Sequence, residues 1–227
     1  MGPPRPAWPD RRCQRAGPRP RRAAGPPRRH AGELVTRRAT RERLVVALTG
    51  ASGAVLGVRL LERLRERGEV ETHLVVSRNA ERVLRVETGW TAARLRRLAD
   101  HAWSPDALDA PLASGSFRTR GMVVVPCSIK TLSAVANCFS ADLVARAADV
   151  TLKQRRPLVL VVRETPLHLG QLRQMVLAAE AGATILPPVP AFYARPRSVA
   201  DLVDQTVGRI LDALGFDDPR LRRWRGG

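Results

Sequence analysis

The chain has 227 residues, 44% of them apolar, and a formal net charge of +18, room for one sizeable α/β domain with an appendage. No run of about 18 apolar residues occurs, which excludes a membrane-spanning helix, and no signal-peptide core is visible. Three cysteines, Cys13, Cys127 and Cys138, are odd in number and lack metal-ligand spacing, which argues against a disulfide scaffold or a zinc site and suits a reducing cytoplasm.

Residues 1–43 carry thirteen arginines against three acids and so supply ten of the eighteen net positive charges. Rich in proline and poor in large apolar side chains, residues 1–42 are expected to be a disordered tail, with the folded domain over 43–227. An arginine-rich arm can neutralise phosphates. The stretches GPPRPAWP and RAGPRPRRAAGPPRR are too proline-broken for a helix. The composition also fits an upstream translation start in an arginine-biased genome, with the domain opening near Val35, and no nucleic-acid partner is expected.

Short apolar runs at Leu44–Leu48, Thr72–Val76, Met122–Val125, Leu158–Val162 and Ala183–Leu186 alternate with longer segments of helical period. This alternation predicts an α/β fold, a three-layer αβα parallel sheet of Rossmann-like or flavodoxin-like type. One helix is expected after the first strand, with Ala54, Val58, Leu61 and Leu64 on its inner face. Others are expected over Ala141–Gln154, Leu169–Ala181 and Ser198–Leu214, the last capped by Ser198, stopped by Gly215 and buried along Val199, Leu202, Val203, Thr206, Val207 and Ile210. The segment from Trp103 to Arg120 and the stretch PPVPAFYARPR at 187–197 read as long loops.

The turn TGASG after the first strand can cradle a phosphate, though a dinucleotide, a mononucleotide or a plain structural turn would each use it. A dinucleotide site needs an acid near the end of the second strand to grip a ribose hydroxyl; that strand ends in HLVVS, with Ser77 at its tip. A second turn, PCSIKT at 126–131, leads from strand to helix and offers backbone N–H groups with the Ser128 and Thr131 hydroxyls. Two such turns facing one crevice suit FMN. Only two lysines occur, Lys130 and Lys153, which marks them as places where a compact ammonium is wanted. Arg146 and Lys153, seven apart on one helix, share a face with Asp149 between them, forming a cationic wall or a solvated salt-bridged stripe.

The motifs LTGASGAVLGVRLLERL, THLVVS, PCSIKTLSAVANCFSADLVARAADVTLKQRRPLVLVVRETPLHLGQLRQM and ILPPVPAFYARPRS together resemble the flavin prenyltransferases of the UbiX type, across essentially all of residues 43–225. The resemblance implies a homododecamer that joins the dimethylallyl group of dimethylallyl phosphate to N5 and C6 of reduced FMN. The product would serve a UbiD-type decarboxylase in ubiquinone synthesis or aromatic-acid decarboxylation. By matching motif it assigns FMN binding to Gly50, Ala51, Ser52, Ser77, Ser128, Ile129, Lys130, Thr131 and Arg163. It assigns dimethylallyl phosphate to Tyr193 and Arg209, helped by Arg146 and Lys153, and main acid/base work to Glu164. Glu87 is expected to reach a neighbouring subunit's site.

These residue types suit that chemistry. Cations around a departing phosphate stabilise the transition state, and a carboxylate can relay the proton lost on ring closure. No acidic cluster for magnesium is present, so no metal is expected. Phe117, Trp224 and Trp90 are candidates for a π-rich wall around an allylic cation. Cys127 is expected to be a buried small side chain and His168 a helix-start residue. Rival readings are an FMN-carrying accessory subunit, for which Glu164 and Lys153 would be dispensable, and a cysteine-peptide decarboxylase, whose catalytic histidine near the first flavin turn is missing from TGASGAV.

Overall fold

A computed structural model describes residues 41–224 and Gly226; the expected tail and start near Val35 lie outside the described residues. The strands are β1 (Glu42–Leu48), β2 (Val70–Val76), β3 (His101–Trp103), β4 (Gly121–Cys127), β5 (Leu158–Val162) and β6 (Thr184–Ile185). All pair in parallel in the order β3-β2-β1-β4-β5-β6, the 3-2-1-4-5-6 order of doubly wound sheets. Helices α1 (Ala54–Arg67), α2 (Arg78–Thr88), α3 (Ala92–Arg96), α4 (Ile129–Ala136), α5 (Leu143–Lys153) and α6 (Leu169–Glu180) lie in the connections between strands, and α7 (Val199–Ala213) follows β6.

The expected three-layer αβα sheet is present, and each of the five expected apolar runs contributes a strand. Every residue of β4 and β5 is buried, because helices cover both faces of a parallel sheet. One core layer holds Leu44, Val46 and Leu48 against α1 and α7. The other holds Val45, Ala47, Met122 and Leu160 against Leu132 of α4 and Leu143 of α5. On α1, Ala54, Val58, Leu61 and Leu64 are buried as their spacing requires, and each fully buried leucine contributes about 1.5–3 kcal/mol over an exposed one. Ser198 caps α7 by accepting from Asp201 N–H. The inner stripe of α7 differs from expectation at its start: Val199 is 76% exposed, because the helix packs on the core only from Val203 onward, and Leu202 and Thr206 border a recess.

In the middle of β2, beside β3, His73 is buried among aromatic and charged neighbours. Its Nδ1 accepts the Trp103 indole N–H at 3.2 Å, so Nε2 carries the proton and donates to Glu71 Oε1 at 3.1 Å. His101 Nε2 lies 3.0 Å from that same oxygen, and the two imidazoles stack at 4.7 Å. Glu71, His73 and His101 are metal-ligand types in one place. In this tautomer, however, the His73 Nε2 lone pair is not available to an ion. Phe117 packs edge-on against His73 at 5.1 Å and under the Arg43 guanidinium at 4.5 Å. It is therefore not part of a π wall at the carboxyl ends of the strands.

Burial, then the neighbouring His101, hold the His73 pKa below the usual imidazole value of 6.5, against the pull of Glu71, with Arg43 adding to the lowering. The folded protein then binds fewer protons at this site than the unfolded chain as the pH falls below 6.5. The contribution of neutral His73 is complete above that pH and is lost progressively below it. Thermal unfolding from pH 7.5 to 5.5 should show a steeper loss of Tm in the parent than in His73→Gln; parallel curves would refute this.

Candidate functional site

The two small-residue turns meet at the switch point of the sheet. β1 and β4 are neighbours, but the chain leaves β1 toward α1 on one face and β4 toward α4 on the other, which opens a crevice beyond their carboxyl ends. Thr49, buried at the end of β1, joins the turns. Its Oγ1 donates to Pro126 O at 2.8 Å and accepts from Ser128 N–H at 2.8 Å. Gly53 turns the chain into α1 at φ 102°. Gly57 lets α1 lie on the sheet, since a Cβ there would stand 2.8 Å from Val125 O.

The amino termini of α2 and α4 lie at this crevice, an arrangement that favours a phosphate. Ser77 caps α2 by accepting from Ala80 N–H at 3.3 Å, and its own O–H remains free to donate. Ser128 caps α4, accepting from Thr131 N–H at 3.4 Å, with the Thr131 hydroxyl 3.2 Å away. Gly50, Ala51, Ser52, Ser77, Ser128, Ile129 and Thr131 thus come together as two facing turns. Lys130 sits on the outer side of α4, beside Phe139 and Asp142 around a second recess of about 380 Å³. The donor set fits an FMN phosphate and flavin edge: backbone N–H groups, hydroxyls and one guanidinium, with Ser77 and not an acid at the tip of β2.

Within the single chain, Glu87 Oε2 accepts from Gly53 N–H and Ala54 N–H, both at 2.9 Å. It therefore caps α1, which lacks a side-chain cap of its own. Partial burial opposes its charge, but the Ser52 hydroxyl, the two N–H groups and the nearby Arg163 together hold its pKa below the usual carboxylate value.

β5 delivers Arg163 and Glu164 next to these turns. Arg163 N–H donates to Cys127 O at 3.1 Å, and Arg163 shares a recess of about 260 Å³ with Ser52, Gly53, Pro188 and Pro190. Glu164 is exposed, one oxygen accepting from Thr165 N–H at 3.0 Å. Beyond lies a cleft of about 640 Å³ lined by Ile185, Leu186, Pro187, Val189, Tyr193, Gln205, Arg209 and Trp224. Its wall is apolar on the proline side and basic on the α7 side. Arg209 reaches Asp212 at 3.0 Å, and the same carboxylate takes Arg223 at 2.6 Å. The Arg223 hydrogen bond is the main reason its pKa falls below the usual value. Trp224 meets the Tyr193 ring edge-on at 5.9 Å, so residues 222–224 fold against the cleft.

Other expected residues stand apart. Arg146 is tied to Asp149 at 3.0 Å and to Ala113 O at 3.1 Å. Lys153 ends α5, which runs back toward the start of β5; the single chain therefore sets it at the opposite end of the sheet from the turns. Trp90 packs on the core beneath Arg94, whose guanidinium stands 3.7 Å from the ring centroid. Cys127 is buried, with its thiol pKa pushed up to about 12 by desolvation, and is no nucleophile. His168 caps α6, accepting from Gly170 N–H. Thr49 and Gln205 were not singled out in the sequence. Their roles depend on partners 77 and 12 residues away, which local pattern does not reveal.

The flavoprotein family profile matches residues 33–211. The flavin prenyltransferase UbiX of Escherichia coli K12 is 52% identical over 187 residues, 82% of this chain and 99% of that one. A crystal structure of AnUbiX in complex with FMN and dimethylallyl pyrophosphate superposes with a TM-score of 0.80 at 52% identity, covering 82% of this chain and 99% of that one. A dodecameric FMN-dependent UbiX-like decarboxylase from Escherichia coli O157:H7 gives a TM-score of 0.79 at 47% identity, covering 81% and 100%. With the paired turns, the fold and the extent of identity in agreement, the chain belongs to the UbiX-type flavin prenyltransferases of the flavoprotein family, transferases that act on FMN.

Proposed function

We propose that this chain transfers the dimethylallyl group of dimethylallyl phosphate to N5 and C6 of reduced FMN, and that the product passes to a UbiD-type decarboxylase in the cytoplasm. The observation that carries the reading is the adjacency of three features at one end of the sheet: the paired turns, the Arg163–Glu164 pair, and the cleft holding Tyr193 and Arg209. Reduced FMN, when bound, supplies the nucleophilic ring atoms. The chain's part is binding and proton handling. Ser77, Ser128 and Thr131 with the α2 and α4 amino termini hold the flavin phosphate, Ser52 and Arg163 border the recess beside it, and Glu164 accepts the proton released from the ring. Arg209 and the Tyr193 hydroxyl receive the departing phosphate, while Pro187, Val189 and Trp224 keep the prenyl group from water.

The monophosphate is preferred in this reading because the described residues offer the cleft a few guanidiniums and no acidic cluster to hold a magnesium ion for a pyrophosphate.

A homo-oligomer, taken to be a dodecamer as in the neighbour, accounts for two further observations. Leu169, Leu172, Val176 and Leu177 of α6 are 61, 44, 55 and 42% exposed, an apolar helix face of the kind monomers rarely leave uncovered. Arg146 and Lys153, remote from the turns of their own chain, then act across a subunit boundary on a neighbour's phosphate. Anaerobic incubation with reduced FMN and either donor, followed by mass analysis of the flavin, tests the activity. A gain of one C5 unit from the monophosphate is expected. Unmodified FMN from a folded, flavin-loaded protein would leave an FMN carrier as the better reading.

A further inference from the structure

The cleft beside the flavin turns is closed on one side by residues 221–224, and a buried amide on α7 is one of the groups that hold that closure. Gln205, on α7 and only 7% exposed, forms a two-bond pair with the backbone of Arg222: Nε2 donates to Arg222 O at 2.8 Å, and Oε1 accepts from Arg222 N–H at 3.2 Å. The same Nε2 lies 3.4 Å from the Tyr193 hydroxyl. Arg222 returns the contact, its guanidinium donating to Ala194 O at 2.7 Å, one residue past Tyr193. Two residues further on, Trp224 packs edge-on against the Tyr193 ring at 5.9 Å. Helix α7, the Tyr193 turn and residues 222–224 thus form one closed ring of contacts with Gln205 at its centre.

A glutamine on the inner side of an amphipathic helix is costly unless its amide is satisfied. Here the satisfaction comes mainly from a chain segment with no regular structure. That segment has no strand partner to fix its path, and Gln205 supplies the backbone pairing that a strand would.

We infer that Gln205 is a positioning residue for the prenyl donor, acting through Tyr193 and Trp224. This rests on the assignment of the Tyr193–Arg209 cleft to dimethylallyl phosphate. Gln205 does not meet the flavin turns, so its loss should loosen donor binding and leave chemistry on bound donor intact. In Gln205→Met, which keeps the length and removes both polar atoms, KM for dimethylallyl phosphate should rise about tenfold with kcat within about twofold. FMN affinity should be unchanged. Gln205→Glu keeps the acceptor for Arg222 N–H and should fall between the two. Because the amide acts through the segment it holds, Gln205→Met combined with Trp224→Ala should raise KM little beyond the larger single effect. Trypsin should also remove the C-terminal peptide after Arg222 or Arg223 faster in Gln205→Met than in the parent, a readout independent of turnover.

An unchanged KM, a loss confined to kcat, fully additive effects, or an unchanged rate of tryptic release would each overturn the role of Gln205. A parent protein that gives no prenylated flavin would overturn instead the functional reading beneath it, and the tryptic comparison would still decide whether Gln205 holds the segment.

Discussion

Replacing Asp218 with Asn is expected to lower the stability of the fold by about 3–5 kcal/mol, the cost of breaking a buried ion pair by removing one partner. Asp218 takes the Arg63 guanidinium at 2.7 Å on both carboxylate oxygens, and the two side chains are 2% and 3% exposed. Arg63 is a charged residue on the inner face of α1, where its neighbours Leu60, Leu61 and Leu64 are fully buried. Without Asp218, its nearest remaining acid is Asp204 at 3.5 Å, itself shared with Arg59 at 2.6 Å. The guanidinium would keep its charge, since arginine does not deprotonate in proteins, and would be left with half its compensation. Urea unfolding at fixed protein concentration should therefore show a lower midpoint with an unchanged slope. The double variant Arg63→Met with Asp218→Leu should recover most of the loss, because the pair is removed without leaving a lone charge. A single-variant loss below about 1 kcal/mol would show that the site relaxes enough to hydrate Arg63.

This pair also bears on the cleft. Asp218 packs against Gly208 of α7, where a Cβ would come within 3.1 Å of its carboxylate, and the chain runs from there to Arg222 and Trp224. The C-terminal segment is thus fixed at two points, by an ion pair on α1 and by the Gln205 amide on α7.

Elements with a large local signal were legible in the sequence. β1, β4 and β5 are continuous apolar runs because both faces are buried, and α1, α5, α6 and α7 show helical spacing. β3 was not legible: its three residues, His101–Trp103, form an edge strand held by pairing with β2. α2, RNAERVLRVET, buries only Ala80 and Leu84, so its pattern is that of a charged surface. At the site, TGASG and PCSIKT announced themselves as turns, since each is a local arrangement of small and hydroxyl residues after a strand. What joins them did not, because the Thr49 link and the Glu87 cap span dozens of residues. Arg146 and Lys153 were read correctly as one helix face. Which end of the sheet that face meets is decided by chain direction, which spacing does not encode.

Glu164→Gln is expected to reduce prenyl transfer by about 10²–10⁴-fold, the range for losing a positioned proton acceptor, equivalent to about 3–5 kcal/mol of transition-state stabilisation. The substitution is nearly isosteric, and among the described residues the exposed side chain accepts one hydrogen bond, from Thr165 N–H, which an amide oxygen can also accept. Fold and FMN loading should therefore be preserved. What is removed is the capacity to take a proton at the end of β5, beside the Arg163 that borders the Ser52 recess. If the proton leaves the flavin ring to Glu164, the variant should bind both FMN and donor yet accumulate little flavin carrying the C5 unit. If Arg163 and Ser52 only hold the flavin for another protein, parent and variant should both return unmodified FMN. A variant that matches the parent in rate while the parent prenylates would assign the proton to a different group. Glu87 would be the first to examine, since its carboxylate meets Ser52 at the same recess and is held in its charged form by the α1 amino terminus.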